Sequence, residues 1–286
     1  GSTAYPPSLS MDPGGEAMVV WNPRRPTSGL SDITGAHFTP SAGWGPVGMV
    51  ATSGGTLLDG RVAFVAGHAV AIFRTSSASI PANLYTSFWT PAGGWTAPQL
   101  LVSGVHDREY AVAISAGGVA TAAWLKKSGF DHNLQVATST GSGWGTAVPL
   151  TTSNKVTALS LASAGGAALI GWIENWRFWS ARYAAATGWS APDAGPLASS
   201  QHPRVSMASP DDGIACWLQT TEGSPGARAW IRRRVSGSWE APQLVEADAE
   251  LGQSCLVLAA SGRFAAFWGT TAAQFGPERL RARLFE

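Results

Sequence analysis

Three series of residues recurring every 45 to 52 positions predict an all-β fold, a six-bladed β-propeller of four-stranded antiparallel blades. One series is Gly-Trp, or Ser-Trp in the last copy, with a small residue and a proline close by: Trp44, Trp95, Trp144, Trp189 and Trp239. A second is an apolar run ending in an aromatic: Trp21, Phe73, Trp124, Trp172, Trp217 and Trp268. A third is the glycine turn before each run: Gly15, Gly67, Gly118, Gly166, Gly213 and Gly262. The series stay in phase along the whole chain. The repeats run 8–54, 55–104, 105–153, 154–200, 201–249 and 250–286, and form one domain.

The fifth repeat shows how each element is read. Arg204 to Ala208 is a first strand, closed by the tight turn Asp211-Asp212-Gly213. Ile214 to Gln219 is the second strand. A polar loop at Glu222 to Gly226 leads to a third, Ala227 to Val235. The turn Ser236-Gly237-Ser238 leads to a fourth, Trp239 to Val245. First strands are small and apolar, as in Ala111 to Ile114, and suit a crowded axis. Third strands carry basic residues, as in Arg232 to Arg234, and suit the rim. Gly, Pro and β-branched residues interrupt every helix candidate. The sixth repeat is short: it has three strands, or the segment Ser2 to Pro6 supplies part of a fourth and closes the ring.

Composition bounds the function. The 286 residues are 45% apolar and only 13% charged, which excludes intrinsic disorder. The 19 basic and 18 acidic residues leave a net charge of +1, against the dense cationic face of a nucleic-acid binder. No run is long and apolar enough to span a bilayer. The start, Gly1 to Tyr5, has neither the basic nor the apolar region of a signal peptide, and Gly1-Ser2 reads as a cloning scar. Cys216 and Cys255 lie in apolar strands and read as buried free thiols. No metal-ligand spacing and no cofactor motif is present. Low charge, three lysines against 16 arginines, and abundant Trp, Ser and Thr point to an exported protein, periplasmic or extracellular.

The Gly-Trp tryptophans have two readings: stacking on sugars, or packing between neighbouring blades. The phrase is similar to the repeats of bacterial and fungal propeller lectins, and more distantly to the Asp-box repeats of sialidases. That resemblance implies a carbohydrate ligand. The Asp box, Ser/Thr-x-Asp-x-Gly-x-Thr-Trp, lacks its Asp in every copy here; the stretches read Thr39 to Trp44 and Thr90 to Trp95. The polar loop residues do not repeat from blade to blade, which favours one asymmetric site.

The ionisable residues collect at connections, the usual carriers of function on a rigid scaffold. Connections from a fourth to a next first strand hold Asp59, Arg61, His106, Asp107, Arg108, Glu109, Lys155, His202 and Arg204. Connections from a second to a third strand hold Arg24, Arg25, Lys126, Lys127, Asp131, His132, Glu174, Trp176 and Arg177. His68 falls at the opposite end. The candidate ligand-binding set is Arg61, His106, Asp107, Arg108, Glu109, Glu174, Trp176, Arg177, His202 and Arg204. Arg61, Arg108 and Arg204 enter first strands, where guanidinium groups can bind a carboxylate. Trp176 beside Arg177 is the candidate aromatic contact.

The leading function is non-catalytic recognition of a glycan or protein partner through the face of these loops, with no catalytic residue and no metal. The alternative is a glycan-acting hydrolase or lyase on the same face. A sialidase-like site would need a Tyr nucleophile, and Tyr110, beside Glu109, faces into a strand. A third reading is a purely structural interaction domain.

Overall fold

The computed structural model describes residues 6–23, 31–52, 57–75, 82–128, 131–139, 143–151, 155–195, 200–220, 227–249, 256–260, 263–271 and 278–285. The first repeat gives β1 (Ser8–Met11), β2 (Ala17–Trp21), β3 (Ile33–Thr39), β4 (Gly43–Trp44) and β5 (Gly48–Ala51). The second gives β6 (Leu57–Val65), β7 (His68–Thr75), β8 (Ala82–Thr90), β9 (Gly94–Trp95) and β10 (Gln99–Ile114). β10 runs on into the third repeat, which adds β11 (Ala120–Ser128), β12 (Asp131–Ser139) and β13 (Val148–Pro149). The fourth gives β14 (Val156–Ala164), β15 (Ala167–Glu174), β16 (Arg177–Ala184), β17 (Gly188–Trp189) and β18 (Asp193–Ala194). The fifth gives β19 (Ser200–Met207), β20 (Gly213–Thr220), β21 (Ala227–Val235), β22 (Ser238–Trp239) and β23 (Gln243–Ala249). The sixth gives β24 (Leu256–Ala260), β25 (Arg263–Thr271) and β26 (Glu278–Phe285).

The strands form five antiparallel sheets. Four repeats each make a sheet of their own. The second and third share an eight-stranded sheet, because β10 serves both as last strand of one and first of the next. One feature differs from the sequence reading. The fourth strand is two short pieces, as in β22 and β23, separated at Glu240-Ala241-Pro242, where proline has no N–H to give the ladder. The sheet of the sixth repeat has three strands among the described residues, one of the two alternatives the sequence leaves open. Of the segment Ser2 to Pro6, the other alternative, residues 2–5 lie outside them, as do Arg24, Arg25, the loop 221–226, Cys255 and Gly262.

The chain divides into two compact units. Unit 1 comprises 1–130 and 134–149; unit 2 comprises 131–133 and 150–286. The core of each lies between consecutive sheets. In unit 1, Met18 and Val20 of the first repeat meet Val62, Phe64 and Phe73 of the second. In unit 2, Leu169, Ile173 and Phe178 meet Val205, Ala215 and Trp217. Five of the six aromatics that end the second strands are buried as expected; Trp21 is half-buried. Burying such a ring stabilises by about 1.5–3 kcal/mol.

The Gly-Trp phrase has a backbone function in every copy. The residue after each tryptophan donates its N–H to a carbonyl of the third strand. The pairs are Gly45 to His37, Thr96 to Phe88, Gly145 to Thr138, Ser190 to Arg182 and Glu240 to Arg233, all at 2.8–2.9 Å. The turn before it needs a left-handed residue, supplied by Gly43, Gly94 and Gly188 at φ +76°, +65° and +73°.

Serines on the first strands join neighbouring sheets, a feature the small-apolar reading of those strands passed over. Ser8 Oγ and Ser10 Oγ accept from Val62 N and Phe64 N at 3.1 and 3.0 Å. Ser160 Oγ accepts from Val205 N, and Ser206 Oγ from Ala259 N, both at 3.1 Å. Ser160→Ala removes the Val205 bond and is expected to cost about 1 kcal/mol, read as a lower urea midpoint with an unchanged m-value.

The cysteines correct an expectation. Cys216 is not a free thiol: it is disulfide-bonded, at a fully buried position of β20. A small apolar site suits a half-cystine as well as a thiol, so burial alone did not distinguish the two.

Candidate functional site

The predicted site residues fall into two groups, one in each unit. Several were expected in connections, yet they lie inside strands. Arg61 is in β6, His106 to Glu109 in β10, and His202 and Arg204 in β19, each at a register shift of the ladder. A bulge keeps the strand paired while turning a polar side chain out of the alternation. Asp59 and His202 take the same unusual conformation there, both at φ 51°, each two residues before an arginine.

In unit 1, Arg61 donates to the Tyr110 carbonyl, pairs with Asp59 at 3.2 Å, and lies 4.5 Å over the Tyr110 ring. Tyr110 is fully buried and donates its hydroxyl to the Asp59 carbonyl at 2.5 Å. Burial, and then the Asp59 charge, push its phenol well above the usual range. Glu109 is half-buried beside it, and the side chains of His106, Asp107 and Arg108 lie outside the described residues.

In unit 2, Glu174 is buried at the end of β15 and accepts from Trp172 Nε1 at 3.0 Å. It pairs across the ladder with Arg177, which is exposed, leaving Asn175 and Trp176 as a two-residue turn. Trp176 is 61% exposed. Its carbonyl accepts from Ser200 N at 2.7 Å, which brings the turn against β19 and so toward His202 and Arg204. Arg204 donates to the Pro203 carbonyl at 2.9 Å. Burial first, and the Arg204 charge second, hold His202 below the usual 6.5. The folded state therefore favours neutral His202. That contribution to stability is present above about pH 6.5 and is lost as pH falls through the lower folded value. An imidazole NMR titration should place the His202 midpoint below 6.5. In Arg204→Gln it should rise only in part, because burial remains; an unmoved midpoint would refute the arginine's influence.

Two clefts between consecutive sheets are absent from the sequence-predicted set. They occupy the same place in their repeats. In the first, β2 and β3 pair Met18 with His37, and β8 and β9 pair Trp89 with Trp95; all four residues line a cleft of about 460 Å³, with Trp44 and Met49. In the second, Leu169 pairs with Arg182 and Arg234 with Trp239, lining about 260 Å³. The chemistry differs. His37 sits 4.7 Å from the Trp89 ring and 5.3 Å from Phe64, with Nε2 held by Glu16 at 3.1 Å. Trp44, packed on Phe38 at 5.3 Å, remains 54% exposed. In the second cleft ion pairs occupy the walls: Arg182 meets Asp211 at 3.1 Å and Arg232 meets Asp193 at 3.0 Å. Burial and the nearby Arg182 hold the Arg234 guanidinium below its usual value. At the corresponding place between the second and third repeats, Trp144 fills the space. Its ring lies 5.8 Å from Phe88 and its Nε1 donates to Thr86 Oγ1 at 2.8 Å. The three places thus share one phrase; the first is lined by three indoles, Trp44, Trp89 and Trp95, and the second by Trp239 among charged side chains.

No family model matches this chain, and no curated protein matches it. Among solved structures it is similar to Trypanosoma rangeli sialidase, with a TM-score of 0.53 at 11% identity, over 99% of this chain and 54% of that one. It thus spans about half the sialidase's length. It is also similar to a mutant of the Aleuria aurantia lectin in complex with Fucalpha1-6GlcNAc. There the TM-score is 0.52 at 9% identity, over 98% of this chain and 94% of that one. The repeated all-β sheets fit a β-propeller resembling these lectins and sialidases. Among the described residues no helix is long and apolar enough to cross a membrane, and no three metal-ligating side chains converge.

Proposed function

We propose that the chain is a six-bladed β-propeller forming one domain, and that it binds glycans without acting on them. The observation that carries this reading is the 460 Å³ cleft between the first two repeats, lined by Trp44, Trp89, Trp95 and His37. Indole faces offer large apolar area to the C–H face of a pyranose ring, and His37 offers an edge for its hydroxyls. The lectin and sialidase likenesses support a glycan as the ligand class. The hydrolase alternative is disfavoured by Tyr110. A phenol that is fully buried, hydrogen-bonded as a donor and raised in pKa is a poor nucleophile. The disulfide at Cys216 agrees with an exported protein, because such bonds persist in oxidising compartments.

The test is a broad glycan array probed with the wild-type protein and with Trp44→Ala. Specific signals that disappear in the variant support the cleft. Signals that persist place the glycan elsewhere, and an empty array with folded protein removes the reading.

A further inference from the structure

We propose that the turn at Asn175-Trp176, in unit 2, is a second and separate site, and that its ligand is an anionic saccharide chain bearing carboxylates or sulfates. Folding gives no reason for this residue at this position. Asn175 and Trp176 both have positive φ, 49° and 60°, the pattern of a type I′ hairpin turn. The second place in that turn favours glycine, and a bulky aromatic there is strained. The Trp176 side chain does not recover the cost by burial. All eight residues of β15 are buried beneath it, while Trp176 itself stands largely in solvent.

The turn is held rigidly. Asn175 N donates to the Lys155 carbonyl at 3.2 Å and Ser200 N to the Trp176 carbonyl at 2.7 Å. The row continues across the sheet, since Ser200 pairs with Gln219 and Gln219 with Arg228. Strands lie about 4.8 Å apart, so the row forms a track longer than one sugar ring. Lys155, Arg177 and Arg228 are exposed along it, and none takes part in the ion pairs among the described residues. The described carboxylates near this end are engaged. Glu174 is buried on Trp172 Nε1, and Glu246 accepts from Trp268 Nε1 at 3.3 Å and Arg281 at 2.9 Å. One open indole face with three cations that pair with no carboxylate among the described residues suits an anionic chain better than a neutral one.

Binding of a heparin octasaccharide, an oligogalacturonate and a neutral dextran of matched size would be measured by calorimetry. At least one anionic chain should bind, the dextran should not, and affinity should fall as salt rises from about 0.05 to about 0.3 M. The two anionic arms distinguish sulfate from carboxylate. Trp176→Gly should lose at least about tenfold in affinity while its Tm stays the same or rises, the reverse of what a packing residue would do. Lys155→Gln with Arg177→Gln should weaken binding and flatten the salt dependence. Equal binding of dextran, no binding of either anionic chain, retained affinity in Trp176→Gly, or a Tm lowered by several degrees in that variant would each overturn the proposal.

Discussion

Gly171→Ala is expected to destabilise unit 2 by about 1–3 kcal/mol, although it adds one methyl group to a strand that an alanine would otherwise favour. The added Cβ would stand 2.7 Å from Val205 Cγ1 and 2.9 Å from Phe178 Cε2. Neither wall can retreat cheaply. Phe178 is 1% exposed and stacks on Trp217, with centroids 4.8 Å apart and planes at 8°. Val205 is held to the fourth repeat by its bond to Ser160. A domain of this size should lose about 2–4 °C in Tm for each kcal/mol, measured by circular dichroism. Gly43→Ala is the informative contrast. No atom lies within 4 Å of its added Cβ, so its cost comes only from φ +76° and is about 1–2 kcal/mol. A Gly171→Ala protein with unchanged Tm would mean that the sheets of the fourth and fifth repeats part more readily than their packing indicates.

Trp44→Ala is expected to weaken glycan binding by about 10- to 100-fold, the range for a tryptophan at the centre of a contact. Its effect on stability should be small, because more than half of the side chain is already exposed. Trp95→Ala would test the same cleft less cleanly. Trp95 also packs on the core cluster between the first two repeats, so folding and binding would fall together. Titration calorimetry of Trp44→Ala against the best array ligand separates these cases. An unchanged Kd would clear the cleft of any part in binding. A large fall in Tm would show that Trp44 is a structural residue like Trp144.

The repeat was legible because each sheet must solve the same problem. Every copy uses the N–H after its tryptophan for the third strand, Gly43, Gly94 and Gly188 supply the positive φ just before it, and the second strands bring large aromatics into the core. Those demands act over a few residues, so they leave a period in the chain. The all-β class, the strand order within a repeat, and the buried aromatics follow from them. The place of Glu174, Trp176 and Arg177 at one short hairpin was legible for a related reason: a short connection fixes which residues stand at its end.

The rest depended on contacts between repeats, which no local pattern encodes. Whether a Gly-Trp tryptophan is filled in or left open is decided by its neighbour. Trp144 meets Phe88 and Thr86 and is partly buried, whereas Trp44 keeps an open face. His37 was unremarked in the sequence and gained its place from Trp89 and Glu16, which stand 52 and 21 positions away. The same holds for Cys216, whose bonding depends on what folding brings beside it. By itself, the sequence determined the repeating sheets, because hydrogen bonding and burial within a repeat are short-range. Tertiary structure alone decided which surfaces remain open, because that depends on the side chain the next repeat places against them.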